Sequence, residues 1–317
     1  MQELTAPDVK TFHPAGLLLL LGIFVVLGLI GFGGLGNVLV LLGYGYSLSD
    51  ISSMLSNPTD YPELKTPLMI IQGITALGAF VIAPILFIRI FLKRKVGFFF
   101  QTHPQTGKAV LLIFFIMMTF MVVNSVVIEW NQNIDLPESL SWFEEKARAT
   151  EDQLEELTKF LTEFDSFGHL LLGLLVIAVL PGIGEELLFR GLVQNIFYKW
   201  LKNPHISIVV SALLFSAFHN QFYGLLPRML LGILFGYLYY WSGKLTFAMI
   251  AHFINNAFML VMVYLYSSDL IKYDIQDDPG SPGAVTLIFF FILTAGLLYY
   301  FYQQFKKNKN GRLAKGI

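Results

Sequence analysis

The chain predicts an all-α, polytopic integral membrane protein of about eight transmembrane helices. Composition is the first ground. Of 317 residues 55% are hydrophobic and only 14% charged, where a soluble domain carries roughly 25% charged. Patterning is the second: apolar runs recur along the chain, several near the roughly 20 residues that a spanning helix needs. The third is the placement of Lys and Arg, which alternates with that of Asp and Glu from loop to loop. A net charge of -1 gives no ground for nucleic-acid binding, and with no cysteine a thiol nucleophile, a disulfide framework and a cysteine metal site are excluded.

In chain order, Met1 to Pro14 is polar and lacks a basic signal-peptide start, so the first span reads as retained. Three spans follow within 15–130: Ala15–Leu42, Pro67–Leu92 and Lys108–Ile128. A stretch at 136–165 is amphipathic, with Leu140, Phe143, Ala147, Leu154, Leu157 and Leu161 among many Glu and Lys. It reads as an extramembrane or interface-lying helix, begun by Pro137 and capped by Ser139 or Ser141, with a lid as the sharper reading. Residues 166–266 hold Phe167–Leu180, Ile206–Phe218, Leu225–Trp241 and Leu245–Tyr266. Residues 284–317 hold a last span, Ala284–Phe301, and a basic tail. The whole reads as one membrane domain without repeats. Arg89, Lys93, Arg94, Lys95, Lys108, Lys199, Lys202, Lys244 and the tail fall on one side of this arrangement. The opposite loops are acidic: Asp50, Asp60 and Glu63, then 129–165, then Asp269, Asp274, Asp277 and Asp278. Both termini are therefore expected in the cytoplasm.

Chemistry gathers in the fourth span. Gly184-Glu185-Glu186-Leu187-Leu188-Phe189-Arg190 places two carboxylates and a cation beside a run of leucines, where an ionised group is costly unless paired or wet. Glu186 and Arg190 are four apart and can pair on one face. Glu185, about 100° round the helix, is left to point elsewhere. A plain ion pair at a helix end would explain the same residues. Phe215…His219 and His252…Asn256 repeat the four-residue spacing on neighbouring spans. A single such histidine is ordinary packing, but two of them with Asn256 and the glutamates can supply a general base, and imidazole and carboxylate also suit zinc. His13, His103 and His205 lie in polar connections, and His169 is about 24 Å from Glu185 along a helix. His-Glu-x-x-His, Gly-x-Gly-Asp and Gly-x-Ser-x-Gly are all absent, which disfavours zincin, presenilin-like and serine-nucleophile sites.

Glu185-Glu186…Arg190, Phe215…His219 and His252…Asn256, complete and in that order, resemble the signature of the CAAX protease and bacteriocin-processing family. This family, also called Abi, includes the type II CAAX prenyl endopeptidases. The resemblance covers roughly 167–263. It implies a mostly eight-helix fold with a catalytic cavity inside the bilayer, and an intramembrane endopeptidase. Glu185 would activate water, His219 would help hold or deprotonate it, and His252 with Asn256 would hold a metal or stabilise the oxyanion. Arg190 and Glu186 would orient these groups. Zn2+ held by Glu185, His219 and His252 and a metal-free glutamate-and-histidine mechanism both remain open. The implied partners are the lipid bilayer and a peptide or membrane-protein substrate, such as a lipidated C-terminus or a precursor peptide. A bacterial inner membrane is the expected location, with water reaching the cavity from the cytoplasmic side. A proton-coupled transporter and a non-catalytic scaffold or immunity factor are the alternatives.

One tension follows from the depths. With the fourth span ending at Leu180, Glu185 sits near one membrane face, whereas His219 follows about 20 Å of outward-going helix. A shared site then requires the helix after Pro181-Gly182 to fold back into the membrane, or the fifth span to be tilted and start deep; a broken or re-entrant element around Pro181 to Lys202 is expected, for which Pro181, Gly182 and Gly184 are suited.

Overall fold

The computed structural model describes residues 12–47, 49, 61–97, 106–164, 166–272 and 282–306. The polar start, Asp50, Asp60, His103, Asp165, Asp274, Asp277, Asp278 and the basic tail from 307 lie outside the described residues. Among the described residues there are helices and no strands. We number the helices α1 Pro14–Tyr44, α2 Pro62–Ile90, α3 Thr106–Gln132, α4 Ser141–Thr162, α5 Phe167–Leu201, α6 Pro204–Ala217, α7 Leu225–Ser242, α8 Leu245–Ser267 and α9 Ala284–Lys306. Six of them (α1, α2, α3, α5, α8 and α9) are long and apolar enough to cross a membrane, and α6 is apolar but shorter. The α6–α7 pair forms a tightly packed hairpin beside them.

The fourth span is the largest departure from expectation. α5 runs unbroken through Pro181 and Gly182 for 35 residues. Hydropathy truncated it at Leu180 because its second half is polar for a membrane helix. That half is buried by protein, with Glu186, Arg190, Gln194 and Asn195 all inside. The expected break at Pro181 is replaced by a local widening. A π-helical segment, Leu174–Val179, ends just before Leu180-Pro181. The same device recurs in α2, where π-helical Leu77–Ile82 ends just before Ala83-Pro84. A wide turn there makes room for the ring of proline within a continuous helix. A third π segment, Leu187–Val193, follows the motif. It leaves carbonyls that side chains take up: Asn195 Nδ2 donates to Arg190 O and Gly191 O at 2.9 Å each, and Ser211 Oγ donates to Phe189 O at 3.0 Å.

The glycines that suggested a break serve close packing. A Cβ on Gly184 would fall 2.7 Å from Phe80 Cβ of α2. One on Gly182 would fall 3.2 Å from both Met249 O and Phe253 N of α8. Between membrane helices the drive is van der Waals contact, and small residues let backbones approach. Gly28 does the same for α1, its position lying 2.8 Å from Gly78 O of α2. α5 and α8 therefore sit at the centre, α5 against α1, α2, α6, α7 and α8, and α8 also against α3 and α7.

Among the described residues the two ends of the bundle differ in charge. Phe12 meets Phe91, His13 meets Trp200 and Trp241 meets Tyr302, so the Lys- and Arg-bearing connections gather at one end. At the other end lies α4. Its inward face carries Phe143, Ala147, Leu154, Leu157 and Leu161, as the spacing predicted, with Leu161 buried, whereas Leu140, expected on the same face, precedes the helix and is exposed. No serine caps it. Its N-cap is Leu140 without a side-chain bond, and Glu144 ties the start down by accepting Leu136 N–H at 3.0 Å. The far end is anchored by Phe160, Leu161 and Phe164 packing with Met69, Leu170 and Leu260, and by Lys65 donating to Glu163 O.

Candidate active site

The continuity of α5 removes the tension in depth. Glu185 lies 16 residues before Leu201, about 24 Å along the helix. A tight turn follows, with Lys202 in the left-handed region at φ 55 and Asn203 Oδ1 capping α6 through His205 N and Ile206 N. The 14 residues of α6 then climb back about 21 Å. His219, just past the end of α6, returns to the level of Glu185 without any re-entrant segment.

Glu186 is the centre of the constellation and is fully enclosed. Its Oε1 accepts from Arg190 Nη1 at 2.7 Å and from His252 Nδ1 at 2.9 Å. Because an ionised carboxylate only accepts, this contact takes a proton from His252 Nδ1, and Nε2 is the nitrogen that remains on the far side of the ring. That Nε2 faces Glu185 Oε2 at 4.0 Å. Exposure divides the two glutamates: the Glu185 side chain is 12% exposed and the Glu186 side chain 0%. Glu185 Oε2 and Glu186 Oε2 are both buried without a hydrogen-bond partner. Glu186 is thus the counter-ion of Arg190, and Glu185 is the less enclosed of the two carboxylates.

Arg190 is held on every side. Its Nη2 donates to Gly232 O at 3.0 Å, and its guanidinium lies 4.4 Å over the Phe215 ring. Phe215 also presents edges to His219, with centroids 5.2 Å apart, and to His252 at 5.8 Å. One ring therefore touches the arginine and both histidines. Phe235 stacks on His252 at 5.1 Å and fixes the plane of the imidazole. His219 Nδ1 donates to Phe215 O at 3.0 Å, which leaves its Nε2 as the acceptor. Glu185 and His252 both lie within Coulombic reach of His219. Asn256 is placed differently from the histidines. Its Nδ2 donates to Ile177 O at 2.8 Å, and Asn255 Nδ2 donates to its Oδ1 at 3.1 Å.

The structure thus brings Glu185, Glu186, Arg190, His219 and His252 into one cluster, with Asn256 one turn further along α8. His169 stays apart, its Nε2 3.2 Å from Thr66 Oγ1. Two contributors escaped the sequence reading. Phe235 carries no chemical signal. Arg228 does: it is a cation four residues into the span Leu225–Ser242, and an ionisable group at such a place is a functional hint by itself.

As a zinc site the cluster is incomplete. Glu185 Oε2 and His252 Nε2 face each other, and the Glu186 contact to His252 Nδ1 is the kind of carboxylate support that metal-bound imidazoles have. A third donor does not converge: among the described residues no group of three His, Asp or Glu side chains is placed to hold a metal ion.

Fold and site together define a polytopic α-helical membrane protein with a buried carboxylate–imidazole–guanidinium constellation at its centre. Residues 167–258, the stretch that holds every residue of the cluster, match the family described as Type II CAAX prenyl endopeptidase Rce1-like. No curated protein and no solved structure matches the chain.

Proposed function

We propose that the protein is an intramembrane endopeptidase that hydrolyses a peptide bond with water activated by Glu185. The observation that carries this is the facing pair of acceptors, Glu185 Oε2 and His252 Nε2, 4.0 Å apart. A single water donating both its O–H groups through bonds of about 2.8 Å reaches two acceptors about 4.4 Å apart. The site thus suits one water held by both groups, with its oxygen lone pairs turned outward.

In the proposed reaction Glu185 takes a proton as that water attacks the substrate carbonyl. The proton then passes to the leaving amine. Glu186 keeps His252 in the tautomer that accepts from the water, and Arg190 neutralises Glu186 so that the enclosed carboxylate does not need the proton itself. His219, with Nδ1 committed to Phe215 O, offers Nε2 as a second proton carrier. Asn256 supports the arrangement by anchoring α8 to α5 at Ile177. The match to an Rce1-like family supports a membrane-associated peptide substrate, a prenylated C-terminus being the first to try. We place the protein in a bacterial plasma membrane with both termini cytoplasmic, on the strength of the basic end of the bundle.

The test is cleavage of a prenylated peptide and of a library of precursor peptides by purified protein, with metal content measured on the same preparation. Glu185→Gln is expected to abolish turnover while keeping helical content and melting temperature. Cleavage that survives this substitution would remove the proposed base. Solute or proton flux without any cleavage would point to a transporter.

A further inference from the structure

Arg228 lies at the edge of the site and has no part in the chemistry above. The first turn of α7 that carries it is pinned to α3: Asn131 Oδ1 accepts Leu226 N–H at 3.1 Å, Asn131 Nδ2 donates to Phe222 O at 3.3 Å, and Asn124 Nδ2 donates to Pro227 O at 3.4 Å. Its Nη2 donates to Gln221 Oε1. The guanidinium lies so close over Gly224 that a Cβ there would fall 2.6 Å from Nη2. Its Nη1 is buried and has no hydrogen-bond partner. The group is within Coulombic reach of Glu185 and His219 on one side and of Glu151 of α4 on the other.

A structural counter-ion in this protein looks different. Arg190 meets its carboxylate at 2.7 Å and spends its other nitrogen on a carbonyl. Arg228 makes no hydrogen bond to either nearby glutamate and keeps a donor unspent, which is costly inside a membrane protein unless something arrives to take it. The surroundings also show which chemistry is tolerated there. Tyr223 N–H, five residues before Arg228, already binds a carboxylate, Glu151 Oε2 at 3.0 Å.

We propose that Arg228 binds a carboxylate of the peptide substrate near the scissile bond, and so sets specificity rather than rate. The proposal rests on the endopeptidase reading. A guanidinium fork matches a carboxylate in geometry as well as charge. The carboxylate can be the free C-terminus of the peptide or an Asp or Glu side chain.

The test reads binding, on the full-length Glu185→Gln protein in detergent. A fluorescent prenylated peptide is made in three forms: with a free C-terminal carboxylate, as the C-terminal amide, and as an amide ending in Asp. The form bearing the correct carboxylate is expected to bind about tenfold more tightly than the plain amide. Which of the two acidic forms does so identifies the source. Adding Arg228→Gln should bring all three to the affinity of the plain amide. If that variant does not keep the parent's melting temperature, Arg228→Lys is read instead; it keeps the charge, loses the fork and should reduce the preference. Equal affinities in the parent, an undiminished preference in the Arg228 variants, or no binding of any form would overturn the proposal. The endopeptidase reading fails separately, through hydrolysis that persists in Glu185→Gln.

Discussion

Asn256 Nδ2 donates to the carbonyl of Ile177, and Ile177 lies four residues before Pro181. In an ordinary helix that carbonyl would receive the N–H of residue 181, which proline lacks. The asparagine of the third motif thus fills a vacancy left by a proline next to the first. Asn256→Leu is expected to cost on the order of 1–3 kcal/mol, the usual penalty for a buried carbonyl left unpaired. In a Pro181→Ala background, which supplies an N–H, the cost should shrink, and a double-mutant cycle in denaturant measures the difference. A loss of kcat in Asn256→Leu that Pro181→Ala leaves untouched would give Asn256 a part in the chemistry as well. The sequence made this residue visible but not its partner. The spacing of Glu186 to Arg190 and of His252 to Asn256 follows from helical periodicity alone, whereas a bond between Asn256 and Ile177 depends on how two helices cross. Arg228 was legible in principle, as a lone cation in an apolar span, but carries no motif.

At the scale of the element, α5 shows why hydropathy misplaces a boundary. Its polar half is expensive to lipid but not to protein, and the index does not know which neighbour a residue will meet. Close approach is equally silent in sequence, since the glycines of Pro181-Gly182-Ile183-Gly184 read alike as breakers or as contacts. Gly184→Ala should force α5 from α2, lowering the melting temperature and the activity together at a cost of about 1–3 kcal/mol. Gly22→Ala, in open space, should instead stabilise α1 by up to about 1 kcal/mol through helix propensity. α4 was predicted well on its inward face and less well at its cap, because the restraint comes from Glu144 rather than a serine. Arg148, bonded to Glu144 at 2.8 Å, and then Leu136 N–H hold that carboxyl below the usual carboxylate range. Its contribution to docking α4 is therefore complete above the unfolded value of about 4.3 and lost as pH falls through the lower folded value. Burial pushes Glu151 the other way, against the Tyr223 N–H that stabilises its charge. Its contribution is thus greatest at low pH and fades as pH rises through the folded value. Hydrogen exchange of residues 219–224 at pH 7 is expected to quicken in Glu144→Gln and to stay slow in Glu151→Gln.

For the molecule as a whole, composition and loop charge were sufficient for an all-α membrane protein with a basic and an acidic end. They say nothing of the side chains beyond the motifs: Arg228, on the α6–α7 hairpin, lies within Coulombic reach of both Glu185 and Glu151 of α4 and is bonded to Gln221. That hairpin also makes the bundle uneven. α5, at 35 residues, is about 52 Å long, while α6, at 14 residues, is about 21 Å; the hydrocarbon core is about 30 Å. The central helix is longer than the bilayer core is thick and the flank at α6 is shorter, so the lipid beside α6, where Leu213, Leu214 and Phe218 are exposed, is expected to thin to meet the protein. A hydrophobic mismatch confined to the flank next to His219 ties membrane thickness to the site. Turnover in vesicles of graded acyl-chain length should peak in thin bilayers and fall as the chains lengthen, while turnover in detergent micelles should vary little with detergent chain length.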